Sequence, residues 1–100
     1  MTTRSAVVKA PGEKLLRVSL DLGGGVVRAA RISGDFFIHP EEGVLLLEKA
    51  LCGAPEWDEL VLRLQSVVDA GGLELVGVSI ESIARGALEA VSEYDAETSS

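Results

Sequence analysis

Ile32-Ser33-Gly34-Asp35-Phe36-Phe37-Ile38-His39-Pro40-Glu41-Glu42 decides the fold, because a strand pattern ends and a helix pattern begins inside it. Gly34 permits backbone angles closed to other residues, and Asp35 can satisfy nearby backbone donors in a turn. Pro40 suits the first turn of a helix, with Glu41 and Glu42 set against the positive end of its dipole. The run also holds both phenylalanines and the only histidine of a chain that is 4% aromatic, so its composition is unusual for this protein.

Upstream of this corner the pattern has period two. Leu16, Val18, Leu20 and Leu22 face one way while Arg17, Ser19 and Asp21 face the other, the signature of a half-buried antiparallel strand. Ala6 to Ala10 read as a shorter strand before it, joined through the Pro11-Gly12 turn. Gly23-Gly24-Gly25 makes the next turn, and residues 26–33 form a third strand. There Val27, Ala30 and Ile32 share a face only if a bulge intervenes.

Downstream the period becomes that of a helix. Residues 41–51 form one, closed by Gly53. Trp57, Leu60, Val61, Leu64, Val67 and Val68 stripe a second, ended by Gly71-Gly72. Ile80, Ile83, Ala84, Ala87, Leu88 and Val91 stripe a third, and Leu73 to Val76 are extended between them. Three antiparallel strands followed by three helices make an α+β layer with the sheet covered on one face. The domain is expected to span residues 6–94, with flexible tails at 1–5 and 95–100.

The bulk numbers narrow the function. One hundred residues suffice for one domain with a modest core. A net charge of −7 argues against nucleic acid as ligand. No apolar run reaches the ~18 residues of a membrane span, and no signal peptide opens the chain, so a cytoplasmic location is expected. The single cysteine, Cys52, excludes an intrachain disulfide and cannot alone build a zinc site.

Candidate chemistry is sparse. Lys9 and Lys14 flank a turn whose Gly12 leaves the backbone open, an arrangement that can approach a phosphate or carboxylate; solvent-facing charges are the commoner reading of such lysines. Asp35 reads as a turn residue rather than a metal ligand, since no second ligand stands at a motif spacing. His39, before Pro40, reads as a capping or packing residue, or as an anion contact at the helix start. One of Phe36 and Phe37 should enter the core while the other seals an interface. Together, Asp35, Phe36, Phe37 and His39 are the candidate partner surface. No nucleophile–base pair, Walker-type loop or metal cluster is present, so no catalytic residue is assigned.

Three motifs in order carry a family resemblance. They are Lys9-Ala10-Pro11-Gly12-Glu13-Lys14-Leu15-Leu16-Arg17-Val18, the Gly34-Asp35-Phe36-Phe37 corner through Pro40-Glu41, and Leu47-Glu48-Lys49-Ala50-Leu51-Cys52-Gly53. Across residues 7–91 the chain resembles the C-terminal accessory domain of lipoate–protein ligases, including its free-standing form as a small subunit. It departs from the family hairpin at Glu13, where a second glycine is usual.

The resemblance implies a SufE/NifU-like fold and a partnership with a separate catalytic subunit, forming a heterodimer. That subunit would hold ATP, Mg and lipoate and make lipoyl-adenylate, while this chain would bind no cofactor and meet lipoyl-acceptor domains only indirectly. It also implies that Lys14, with Gly12 and Lys9, approaches the adenylate, although Glu13 would repel phosphate or pair with Lys14. Two alternatives stay open: an interaction module unrelated to lipoate, and a SufE-like sulfur acceptor using Cys52. The second sits poorly with Cys52 in the last turn of a helix, where the dipole disfavours the thiolate that sulfur transfer needs.

Overall fold

A computed structural model describes residues 2–53 and 56–98, with side chains described as far as Ser92. The chain runs β1 (Thr2–Val8), β2 (Leu16–Gly23), β3 (Val26–Gly34), β4 (Phe37–His39), α1 (Gly43–Ala50), α2 (Trp57–Gly71), β5 (Glu74–Val76) and α3 (Ile80–Thr98). The first three strands form an antiparallel meander in the order β1-β2-β3.

The alternation in β2 drives this sheet. Leu16, Val18, Leu20 and Leu22 are each at most 2% exposed and form the floor of the core. Between Asp21 and Leu22 the pairing with β3 slips, from Asp21–Ala29 to Leu22–Val27, leaving Arg28 unpaired. That is the bulge the sequence requires, and it lets Val27 and Ile32 both point inward. Helix α3 lies across this inner face and meets β1 and β2 through small residues, Ala84, Ala87 and Ala90. At Gly86 a Cβ would stand 2.7 Å from Val18 Cγ2, so helix and strand approach as closely as the backbone permits.

The outer edge of β3 is sealed. The Ile32 N–H donates to Glu48 Oε2 at 2.7 Å, and Val27 exchanges backbone hydrogen bonds of 2.8 and 2.9 Å with Gly53. The C-terminal end of α1 and the residues just after it are therefore stitched to β3, which protects that edge from stray pairing. Helix α2 buries Leu60 and Leu64 and ends at the left-handed Gly72.

Several expectations need correction. Thr2–Ser5 are no loose tail: they pair with Ser19–Leu22 in β1. Their strand was hidden because its inner face carries Thr2 and Arg4 before it reaches Ala6 and Val8. At the other end residues 95–98 continue α3, while Met1, Ser99 and Ser100 lie outside the described residues. Pro40 does not open α1. The His39–Pro40 peptide is cis, a turn follows, and the helix begins at Gly43 with Glu42 as a cap that makes no side-chain hydrogen bond. Trp57 starts α2 but is 38% exposed, outside the buried stripe. The corner also contains a strand: β4 pairs with β5 in a separate two-stranded ribbon, matching Phe37 with Val76, Ile38 with Leu75 and His39 with Glu74.

Candidate functional site

The Ala10-Pro11-Gly12-Glu13 turn closes with Glu13 N–H donating to the Ala10 carbonyl at 3.0 Å. Pro11 and the positive φ of Gly12, 77°, give it type II character. Glu13 therefore occupies the fourth turn position, where no glycine-only angle is demanded. Open space surrounds the Gly12 Cα, so the hairpin tip is accessible to a ligand or a neighbouring backbone.

Glu13 turns away from the tip and onto the start of α3. Its carboxylate accepts from the Ser79 N–H at 3.2 Å, the Ser79 hydroxyl at 3.1 Å and the Ser82 hydroxyl at 2.8 Å. The Ser79 hydroxyl in turn caps the helix by accepting from the Ser82 N–H at 3.2 Å. A carboxylate here also meets the positive end of the helix dipole. The expected pairing of Glu13 with Lys14 is absent among the described residues. The charge that would have repelled phosphate is spent on tying the hairpin to α3. Nothing local in the sequence announces Ser79 as a partner of Glu13, 66 residues away.

The same docking fixes Lys14. Its N–H donates to the Gly77 carbonyl at 2.8 Å, while its side chain is exposed and has no ion pair among the described residues. Lys9 and Gly12 are exposed on the same hairpin. The hairpin meets the aromatic corner directly. The Asp35 N–H donates to the Leu15 carbonyl at 3.2 Å, and at Gly77 a Cβ would contact both Lys14 and Phe36. Two motifs separated in sequence thus share one end of the molecule. Asp35 serves there through its backbone; its exposed carboxylate makes no hydrogen bond among the described residues.

Phe36 is half-buried and packs against the core, whereas Phe37 is 65% exposed. His39 is also exposed and stacks on Phe37, with ring centroids 6.5 Å apart and planes inclined by 13°. With Val76 across the ribbon, 46% exposed, they make an apolar and aromatic outer face. The sequence pointed to Phe37 and His39 but not to Val76, whose strand is only three residues long. A second apolar area escaped the sequence reading. Leu45 and Leu46 on α1 are exposed, and exposed Leu62 on α2 lines, with Ala50 and Val67 among others, a shallow depression of about 400 Å³.

Cys52 is half-buried, its sulfur 3.8 Å from the carbonyl oxygens of Arg28 and Glu48. Among the described residues no three His, Cys, Asp or Glu side chains converge as a metal site would require, and no helix is long and apolar enough to cross a membrane.

No family model matches the chain. A 40-residue stretch is 48% identical to "Lipoate-protein ligase A subunit 2" of Thermoplasma acidophilum, covering 40% of this chain and 43% of that protein, so this match spans less than half of the relative. A solved structure extends the likeness. It comes from work on an archaeal lipoylation system, a bi-partite lipoate protein ligase and its E2 lipoyl domain from the same organism. It superposes with a TM-score of 0.70 at 30% identity, over 86% of this chain and 94% of that one. With nearly the whole of that chain matched in fold and sequence, this protein belongs to the family of second subunits of two-part lipoate–protein ligases.

Proposed function

We propose that this chain is the accessory subunit of a two-part lipoate–protein ligase. It works with a separate catalytic subunit that uses ATP to activate lipoate as lipoyl-adenylate before transfer to an acceptor lysine. The observation that carries this reading is the likeness over 94% of a solved chain from a bi-partite ligase. ATP, magnesium and lipoate belong to the catalytic subunit, and the site of action is the compartment where that subunit and its acceptors reside, the cytoplasm.

The accessory role is conformational. A docked subunit promotes activation only if it binds the activation-competent state of its partner better than the other state. The Phe37–Val76 face supplies the docking surface, and the rigid hairpin presents Lys14. Reconstitution tests the reading. The purified chain alone should release no pyrophosphate from ATP and lipoate, while adding it to the catalytic subunit should form a complex and raise adenylation. Appreciable activity by this chain alone, or no complex at all, would sink it.

Because Glu13 is engaged elsewhere, Lys14 is free to neutralise phosphate charge in the shared site, where exclusion of water strengthens the contact. Lys14→Ala is expected to slow adenylation by the complex roughly 10-fold or more, as loss of one charge-assisted hydrogen bond does. Subunit affinity should fall less, and transfer from preformed lipoyl-adenylate should be nearly intact, since pyrophosphate has already left. Lys9→Ala is the control and should do little. An unchanged adenylation rate at saturating partner would make Lys14 an ordinary surface charge.

The sulfur-acceptor alternative is separated by Cys52→Ser. Complex formation and adenylation should survive the change within about 2-fold, the expectation for a site with no chemical role. Persulfide labelling of Cys52 by a cysteine desulfurase, with function lost in the variant, would reverse the assignment.

A further inference from the structure

Charge in this acidic protein is sharply divided. Residues 1–34 hold Arg4, Lys9, Lys14, Arg17, Arg28 and Arg31 against Glu13 and Asp21, a net of +4; residues 35–100 hold three basic residues against fourteen acidic ones, a net of −11. The meander is therefore a basic layer attached to an acidic helical layer. Its inner face is covered by α3, and of its six cations Arg17 and Arg31 stand on the outer, solvent-facing side.

That outer face is ordered row by row. Across the strands run Val7, Arg17 and Ser33, then Ser5, Ser19 and Arg31, then Thr3, Asp21 and Ala29. Arg17 and Arg31 are exposed and make no hydrogen bond or ion pair among the described residues. Their rows are adjacent and their strands neighbours, so they sit as a diagonal pair about 7–8 Å apart at the backbone. Beside them lie hydroxyls: Ser5 and Ser19, in the same row as Arg31, share a 2.8 Å hydrogen bond. Asp21, the one carboxylate on the face, accepts from the Thr3 hydroxyl at 2.8 Å. Beside them a groove of about 350 Å³ is lined by Thr3, Ser19, Asp21, Ala29, Ala30 and Arg31.

We infer that this open sheet face is a docking site for a carboxylate-rich surface on another protein domain. Two unpaired guanidiniums suit two carboxylates, which arginine engages bidentately, and the hydroxyls beside them can serve a partner's backbone. The face is small. Eight residues at ~3.3 Å by three strands at ~4.8 Å give roughly 380 Å², well under the about 800 Å² per partner of a stable interface. Binding is thus short-lived and salt-sensitive, suited to a domain that arrives and leaves in each reaction cycle. Nucleic acid fits worse, because it needs a continuous cationic track and Asp21 with the acidic helical layer interrupts one.

This rests on the lipoylation reading, in which the visitor is the lipoyl-acceptor domain, met here directly rather than only indirectly as the family resemblance implies. The test uses the full ¹⁵N-labelled chain with the unmodified acceptor domain as probe, at low and high salt. Amide shifts are expected at Arg17, Ser19, Arg31 and Ser33, fading in high salt. The double charge reversal Arg17→Glu with Arg31→Glu should weaken the contact about 30-fold or more, two charge-assisted pairs being lost, while leaving binding to the catalytic subunit unchanged. Shifts confined to the helices, or equal affinity in the double variant, would overturn the inference while the accessory role stands. So would a short DNA duplex that moves the same amides as strongly, or shifts that appear on concentrating the chain alone, which would assign the face to a second copy. Loss of binding to the catalytic subunit by the native chain would instead remove the lipoylation reading itself.

Discussion

Gly34→Ala is expected to cost more than about 3 kcal/mol of stability, the largest loss from a single added methyl in this chain. Gly34 has φ of +153°, a backbone region that side chains rarely enter, and a Cβ there would fall against the carbonyl oxygen of Leu15. The obstacle is backbone, held in place because the same carbonyl accepts from the Asp35 N–H. The Phe36 ring, about 3.0 Å from the added carbon, closes off the remaining side. Relief would require β2 and β3 to separate at the point where they deliver the hairpin to the corner. Urea denaturation compares this variant with Gly12→Ala, where φ is also positive but the space is open; that change should cost only about 1 kcal/mol. Equal losses would mean that the crowding at Gly34 relaxes freely.

Phe37→Asp is expected to leave stability within about 0.5 kcal/mol, as an exposed substitution does. It should weaken docking to the catalytic subunit about 30-fold or more, the effect of losing a central aromatic anchor. The ring is 65% exposed and, among the described residues, stacks on His39 alone, so its removal leaves the core untouched. Phe36→Ala should behave in the opposite way. Its ring packs against the core while half-buried, so truncation should cost about 2–3 kcal/mol, short of the full price of a deeply buried phenylalanine. Calorimetric titration with the catalytic subunit, alongside thermal unfolding, measures both. Leu62→Asp on α2 probes the rival apolar area. If it abolishes binding and Phe37→Asp does not, the partner sits on the helices.

What could be read from the sequence depended on how far apart the interacting residues lie. The alternation from Leu16 to Leu22 and the stripes of α2 and α3 are local consequences of burying one face, and they predicted those elements closely. Even the β3 bulge was implied by its broken phase. The β4–β5 ribbon was not legible in the same way, because three-residue strands are too short to display a period. The hairpin and the aromatic corner were recognisable as candidates from Gly12, Lys14 and Phe37. Their meeting, and the diversion of Glu13 to Ser79 and Ser82, depend on contacts between distant parts of the chain. The basic open face needed the register of all three strands before Arg17 and Arg31 became neighbours.

The position of α3 across the inner face of the sheet carries a consequence for synthesis. The meander is complete in sequence at Gly34, yet the helix that covers Leu16, Val18 and Leu20 begins only at Ile80. At ~5–20 residues per second, a ribosome leaves roughly 2–9 s between those two points. Throughout that interval a growing chain offers a greasy plate of leucine and valine with nothing to lay over it. Glu13 likewise waits for Ser79 and Ser82 before the hairpin is anchored. Nascent forms of this protein should therefore be good clients for holdase chaperones until the last helix has emerged.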